Sequence, residues 1–303
     1  MTLKLNSQEL IMEKKYPETF FHDGSGIFEN TVILPAIAGN GYYKEIWFEN
    51  VHIGYGNASL SKRILIDFES DFETIEMHFS LKGQSLTTPE NFEKPYIFES
   101  HQHNIIYASS MAGKMLWDSK DFQIFEINLN PAFFKKFLPE NQTISDLFRT
   151  AIEKKSSVFI SQQNYAISPK MYHIMHEIMH CERSGLFKRM FLEAKVTELL
   201  LLQMEQILNK PAAEQPALKK SEIDKIYAVK EFLYSNLHTT TTLTELAHLA
   251  GTNEFTLKKG FKELFGNTVF GFWNDLKMEQ AHQLLLDKQH NVGEVSDLVG
   301  YKN

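Results

Sequence analysis

The spacing of apolar and polar residues divides the chain into two textures. Between about Gly24 and Asn130 the segments IWFENVHIGYG, KRILIDFES, FETIEMHFSLKG and DFQIFEINLN alternate apolar with polar residues, and Gly, Asn, Asp and Pro separate them. A period of two sends alternate side chains to opposite faces of a strand, so these segments predict short antiparallel strands in a small barrel or sandwich. After Pro131 the period becomes helical. AFFKKFL, ISDLFRTAIEKK and SPKMYHIMHEIMHCERS predict helices. The longest is GLFKRMFLEAKVTELLLLQMEQILNK, whose Leu199–Leu202 run is apolar nearly all round and so packs on more than one side. NKPAAEQPALKK, residues 209–220, has two prolines and few apolar anchors and reads as a linker. Every long segment beyond it is helical. The predicted class is therefore α+β: one domain over 1–208, β-rich to about 130 and helical over 131–208, then an all-α domain over 221–303.

The all-α part repeats itself. TELAHLAG (244–251) and GEVSDLVG (293–300) share the order acid, aliphatic, small, polar, aliphatic, apolar, Gly, 49 residues apart. Thr242 and Glu245 form a capping box ahead of the first copy, and Gly251 is placed to end its helix. Ala247 and Gly251 stand four apart, a spacing that would let a second helix cross closely. Asn253 caps that second helix, NEFTLKKGFKELFG. Leu257, Phe261, Leu264 and Phe265 form its buried stripe, while Phe255, Lys258, Lys259 and Lys262 recur on another face. Two helices joined by a tight Gly turn, the second showing a basic stripe, describe a helix-turn-helix whose recognition helix enters a major groove. The segment 268–287 bridges the copies. Twenty helical residues reach about 30 Å, close to the roughly 34 Å between successive major grooves.

Composition narrows the alternatives. The chain has 303 residues, 43% hydrophobic and 23% charged, as in an ordinary globular protein with room for two domains. Cys181 is the one cysteine, so no internal disulfide forms, and a cytoplasmic location is expected. The N-terminus lacks a signal-peptide apolar core, and no apolar run approaches membrane-spanning length. A net charge of −7 gives no sign of nucleic acid, so that inference rests on local pattern alone.

Several residues invite chemistry. HEIMH (176–180) fits the zinc-protease pattern, with His176 and His180 as ligands and Glu177 as general base. A third ligand is missing, however, and Met171, Ile174, Met175, Ile178 and Met179 form a core stripe behind the polar face. His173, His176, Glu177 and His180 are therefore expected to be solvated surface, and a zinc hydrolase remains the rival reading. His101 and His103 fall on one strand face without a following Glu, which suggests a hydrogen-bonding or pocket role. Trp47 and Trp117 are further pocket candidates, with core packing as their alternative. Cys181 reads as a buried or half-buried thiol. With no Ser/His/Asp set, P-loop or dinucleotide fingerprint, the chain reads as no enzyme, with no cofactor and no metal.

The run LTELAHLAGTNEFTLKKGFKELFGNTVFGFWNDLKMEQAHQLL resembles the DNA-binding domain of AraC/XylS-family transcription regulators. LKKGFKELFGNTVFGF, together with FLEAKVTELLLLQ (191–203) and HNIIY (103–107), is similar to the branch of pyochelin-type siderophore regulators. The resemblance implies a cupin-like β sensor, a helical extension and a double helix-turn-helix. The chain stops at GYKN, so the second unit is expected to be incomplete. By position, Phe255, Lys258 and Lys259 would face bases, with Thr256 and Lys262 near phosphates. The implied function is a ligand-responsive regulator that senses a small, siderophore-like effector and reads double-stranded operator or promoter DNA as a homodimer; a contact with RNA polymerase is compatible with it. A module that only senses and dimerises is a third reading. The effector pocket is expected between about Val32 and Leu129, larger and more apolar than any hollow in the helical domain.

Overall fold

The computed structural model describes residues 2–15, 26–90, 95–138, 143–161, 163–208, 220–237, 239–265, 267–286 and 291–301. They fall in two compact units, Met1–Ile167 with Glu177–Ala212, and Ser168–His176 with Ala213–Asn303. Residues 209–219 of the expected linker lie outside the described residues, and its last residue, Lys220, already begins a helix.

Among the described residues the first unit is built on fourteen strands: β1 (Thr2–Asn6), β2 (Ile11–Lys15), β3 (Phe28–Ile33), β4 (Gly39–Phe48), β5 (Val51–Leu60), β6 (Ile64–Ser70), β7 (Thr74–Lys82), β8 (Ser85–Pro89), β9 (Tyr96–Phe98), β10 (Gln102–Ala108), β11 (Met111–Trp117), β12 (Asp121–Leu129), β13 (Val158–Phe159) and β14 (Tyr165–Ala166). One sheet runs β2-β1-β6-β11-β8-β9. The other runs β13-β10-β7-β12-β5-β4-β3, with β14 also on β10. Every pairing among the described residues is antiparallel, and most sheet neighbours are not consecutive in the chain, as for β6 with β11 and β7 with β12. The hairpin β1–β2 extends the strand region to the N-terminal side of Gly24.

Register decides which side chains share a face. In the larger sheet Phe48, Ile53, Ile75, Met77, Phe79, Ile105, Phe125 and Ile127 are buried on one face. Helices cover it: α1 (Pro131–Phe134, continued by a 3-10 turn over Lys135–Phe137), α2 (Thr143–Lys154) and α4 (Gly185–Leu208). Phe148 of α2 packs on Tyr107 of β10 and on Phe134 of α1. On α4, Leu192, Val196, Leu199, Leu200, Met204 and Ile207 recur at helical spacing and are buried. Burial of each such side chain contributes roughly 1.5–3 kcal/mol. The opposite face of the larger sheet looks toward the smaller sheet. There Leu60 of β5 meets Ile64 and Ile66 of β6, with Leu5, Ala58, Met115 and Trp117 around them.

The second unit holds the first part of α3 (Pro169–Met179), then α5 (Lys220–Ser235), α6 (Leu243–Leu249), α7 (Glu254–Phe265), α8 (Val269–Leu286) and α9 (Val292–Leu298). Its core is aromatic: the Phe261, Phe265 and Phe272 rings lie 4.7–5.8 Å apart. The sequence repeat is a structural repeat. Thr242/Glu245 and Asn291/Glu294 both close capping boxes. Both helices end on a left-handed Gly, Gly251 at φ +62° and Gly300 at φ +76°. In both, the next amide reaches back to the same carbonyl, Thr252 to Ala247 and Tyr301 to Ser296, each at 2.9 Å. This is the Schellman closure, which satisfies carbonyls that the helix end would otherwise orphan.

Candidate functional site

Helix α7 sorts its residues cleanly. Asn253 Oδ1 accepts the Thr256 amide at 2.8 Å and so caps the helix. Leu257, Phe261, Leu264 and Phe265 are buried, as their spacing requires. On the other side Phe255 is 74% exposed, and Lys258, Lys259 and Lys262 are exposed; Thr256 is half-buried. Lys258 lies 3.5 Å from Glu254 and Lys259 3.8 Å from Glu263. Exposed pairs of this kind hold little energy, so the ammonium groups stay free to take a phosphate or a base edge. Glu254 accepts a 2.6 Å hydrogen bond from Thr244 of α6, and Lys225 of α5 donates to the Gly251 carbonyl at 2.6 Å. The turn that presents α7 is thus tied on two sides. Gly251 itself does not serve a close crossing: α6 ends at Leu249, Gly251 is exposed, and a Cβ there would meet nothing within 4 Å. Its role is the left-handed turn, while Ala247 is buried in the packing.

The larger sheet carries a second constellation on the face toward the smaller sheet. One polar row crosses four adjacent strands: Thr74 Oγ1 donates to Asn128 Oδ1 at 3.0 Å, Asn128 Nδ2 donates to His52 Nδ1 at 3.2 Å, and His52 Nε2 stands 3.5 Å from Glu45. Glu45 is 0% exposed. Trp47 stacks on His52 with ring centroids 3.9 Å apart. A parallel row lies next to it. His78 Nδ1 donates to Glu76 Oε1 at 2.7 Å, Glu126 stands opposite His78 in register, and Tyr43 Oη donates to Glu126 Oε1 at 2.5 Å. The Tyr43 hydroxyl passes over Gly54, where a Cβ would lie 1.8 Å from it. Phe98 of β9 tilts over His78 at 4.2 Å, so the row sits between the sheets. Burial alone would depress His78, but the hydrogen bond to Glu76 and the charges of Glu76 and Glu126 outweigh it and hold the imidazole above its ordinary value.

The ligand candidates read from sequence separate accordingly. Trp47 stands on this inner face, and Trp117 packs in the inter-sheet core, stacked on Phe122 at 5.4 Å. His101 is not on a strand face; it occupies the turn before β10 with φ +64°. His103 lies on the helix-covered face at 0% exposure. Its Nδ1 accepts from Gln203 Nε2 and its Nε2 donates to Gln206 Oε1, both at 2.9 Å. Burial pushes its pKa down to about 4, against the Gln206 hydrogen bond, so it is neutral. A hollow of about 310 Å³ in the first unit is lined by Phe48, Val51, Phe133, Phe137, Glu193 and Val196, while a wider open depression of about 440 Å³ lies on α6.

Among the described residues HEIMH joins no cluster of metal-capable side chains. α3 ends at Met179, so His180 stands beyond the helix and exposed. Glu177 is bound to Lys195 at 2.6 Å. His173 and His176 are half-buried rather than solvated, and the His176 ring lies 5.7 Å from both Phe265 and Phe272. The inner row of Glu76, His78 and Glu126 escaped the sequence reading. Its signal is Glu76-x-His78, two metal-capable side chains on one face of a segment already read as a strand.

The family described as Regulatory protein PchR N-terminal domain matches residues 65–220, more than half of the chain. The regulatory protein PchR of Pseudomonas aeruginosa is 30% identical over 123 residues, 40% of this chain and 42% of that protein. The chain is therefore matched to less than half the length of this relative. Among solved structures, apo ToxT from Vibrio cholerae is similar with 14% identity and a TM-score of 0.37, covering 83% of this chain and 89% of that one. The AraC-like transcriptional activator CuxR is similar with 9% identity and a TM-score of 0.33, covering 85% and 87%.

Proposed function

Because the chain belongs to the family of the regulatory protein PchR N-terminal domain, we propose that it is a ligand-responsive transcription regulator. The observation that carries this reading is α7: a capped helix with one buried face and an outer face of Phe255, Lys258, Lys259 and Lys262. In this reading Phe255, Lys258 and Lys259 meet base edges in the major groove of double-stranded DNA, and Thr256 and Lys262 lie near phosphates. The α9 copy is the start of a second helix-turn-helix. The first unit is a cupin-like sensor for a small, siderophore-like effector, and the face between its sheets is the place for it. Homodimerisation runs along α4, where Leu186, Phe187, Met190 and Leu201 expose an apolar stripe. RNA polymerase is a compatible partner and the cytoplasm the fitting location. No helix among the described residues is long and apolar enough to cross a membrane.

The test is fluorescence anisotropy on a duplex selected from a random-sequence pool by the wild-type chain. Lys259→Ala should weaken binding by about 1–3 kcal/mol, and Lys262→Ala should reduce the salt slope by about one. Failure to enrich any duplex, or an unchanged Lys259→Ala affinity, would overturn the assignment of α7 as the reading helix.

A further inference from the structure

Glu76, His78 and Glu126 offer one ligand atom each, and the three atoms lie within 4.8 Å of one another. Around a first-row ion with bonds of about 2.0–2.2 Å, donor atoms stand about 3 Å apart when adjacent and about 4.2 Å apart when opposite. Small rotamer adjustments therefore close these three on one ion. Strand geometry produces the convergence. Glu76 and His78 are two apart on β7 and so share a face, and the register sets Glu126 of β12 directly opposite His78. We propose that Glu76, His78 and Glu126 bind a first-row divalent transition-metal ion of the Mn²⁺, Fe²⁺ or Zn²⁺ class.

The donor types select that class. Two carboxylates and an imidazole suit borderline and moderately hard ions, the absence of a thiolate from the trio disfavours Cu⁺, and an imidazole donor disfavours Ca²⁺ and Mg²⁺, which prefer all-oxygen shells. A supporting layer is already built. The Tyr43 hydroxyl orients Glu126 across the space that Gly54 leaves open, and Phe98 fixes the His78 ring from the other sheet. Access differs between the two rows: Glu45 of the neighbouring row is sealed, whereas the His78 and Glu76 side chains keep 16% and 24% of their surface exposed. An ion can reach the second row without unfolding the sheet. Three protein donors leave positions for water or for oxygen and nitrogen donors of a small chelating ligand. The site rests on the geometry of the first unit alone and stands whether or not α7 reads DNA.

The full-length protein, stripped with a chelator, is titrated with Mn²⁺ by electron paramagnetic resonance and with Zn²⁺ and Ca²⁺ by calorimetry. One equivalent of Mn²⁺ and of Zn²⁺ per chain is expected, with Ca²⁺ much weaker. Glu126→Gln and His78→Gln should each weaken binding at least tenfold and abolish the rise in Tm that the metal gives the wild type. His176→Ala with His180→Ala should leave the affinity unchanged. Electron spin-echo modulation of bound Mn²⁺ in the wild type should show one imidazole nitrogen, a readout that needs no variant. Absence of saturable binding, absence of that nitrogen, or binding that survives Glu126→Gln and His78→Gln would each overturn the site.

Discussion

In the first unit Glu45, His52, Glu126 and Asn128 point into the space between two sheets, while Met77, Phe79 and Phe125 on the opposite face lie under helices. In the second unit the order is reversed: Leu257 and Phe261 point inward, and Lys258, Lys259 and Lys262 face solvent. A helix has one interior side, so polarity reports exposure directly. A strand sandwiched between a second sheet and a layer of helices has two interior sides, and its polar side is then interior rather than a surface. Buried polar groups there need partners, and the two cross-strand rows supply them.

The sharpest way to break this comparison is to attack the apolar side of α7. Phe261→Ala removes a fully buried ring and should cost about 3–5 kcal/mol in chemical denaturation; a loss under 1 kcal/mol would mean the aromatic core is not what holds the helix. The next effect belongs to His103. Its folded pKa of about 4 lies below the ordinary 6.5, so the unfolded chain binds more protons between these values. Stability should be full above pH 6.5 and fall by about 3 kcal/mol as the pH drops toward 4. Urea midpoints across that range should show the slope, and His103→Gln, which cannot charge, should flatten it. Removing a capping oxygen is smaller: Thr242→Ala and Asn291→Ala should each cost about 1 kcal/mol, read from melting curves. Smallest is Phe255→Ala, within about 0.5 kcal/mol of wild type in stability because the ring is outside, although it should weaken DNA binding in the anisotropy assay.

Much of the second unit was legible because its signals are local. The Thr242/Glu245 box, the Gly251 stop and the Leu257/Phe261/Leu264/Phe265 stripe all lie between residues 242 and 265, and the repeat shows the box and the Gly stop a second time. Helix α4 was legible for the same reason, its apolar positions setting its length. What could not be read was non-local. Nothing in FETIEMHFSLKG says whether Glu76 and His78 face water or a second sheet, since that depends on β8, β9 and β11 folding over them. His103 illustrates the same limit, because its two hydrogen-bond partners lie a hundred or more residues further along the chain. HEIMH fits the zinc pattern by spacing alone: the motif assumes a helix that continues through His180, and α3 stops one residue earlier. The β1–β2 hairpin was passed over because its apolar positions are few and its charge density is high.

Helix α4 is clamped to the larger sheet near both of its ends, and Lys188 adds an ion pair to Glu29 of β3 at 2.6 Å. Near its start Arg189 pairs with Glu49, in the turn between β4 and β5, and with Glu193 of its own helix. Near its end Gln203 and Gln206 hold both nitrogens of His103 on β10. The clamps are fourteen residues apart, about 21 Å of helix, and they grip opposite flanks of a sheet in which β7 and β12 lie between. The helix therefore acts as a tie bar across those strands. Any change of sheet twist that spreads the flanks loads the bar in tension, and one fastening has to yield. The His103 end is sealed and doubly bonded, while Arg189 keeps 22% of its side chain in solvent. Under load the bar should slip at its Arg189 end and pivot about His103.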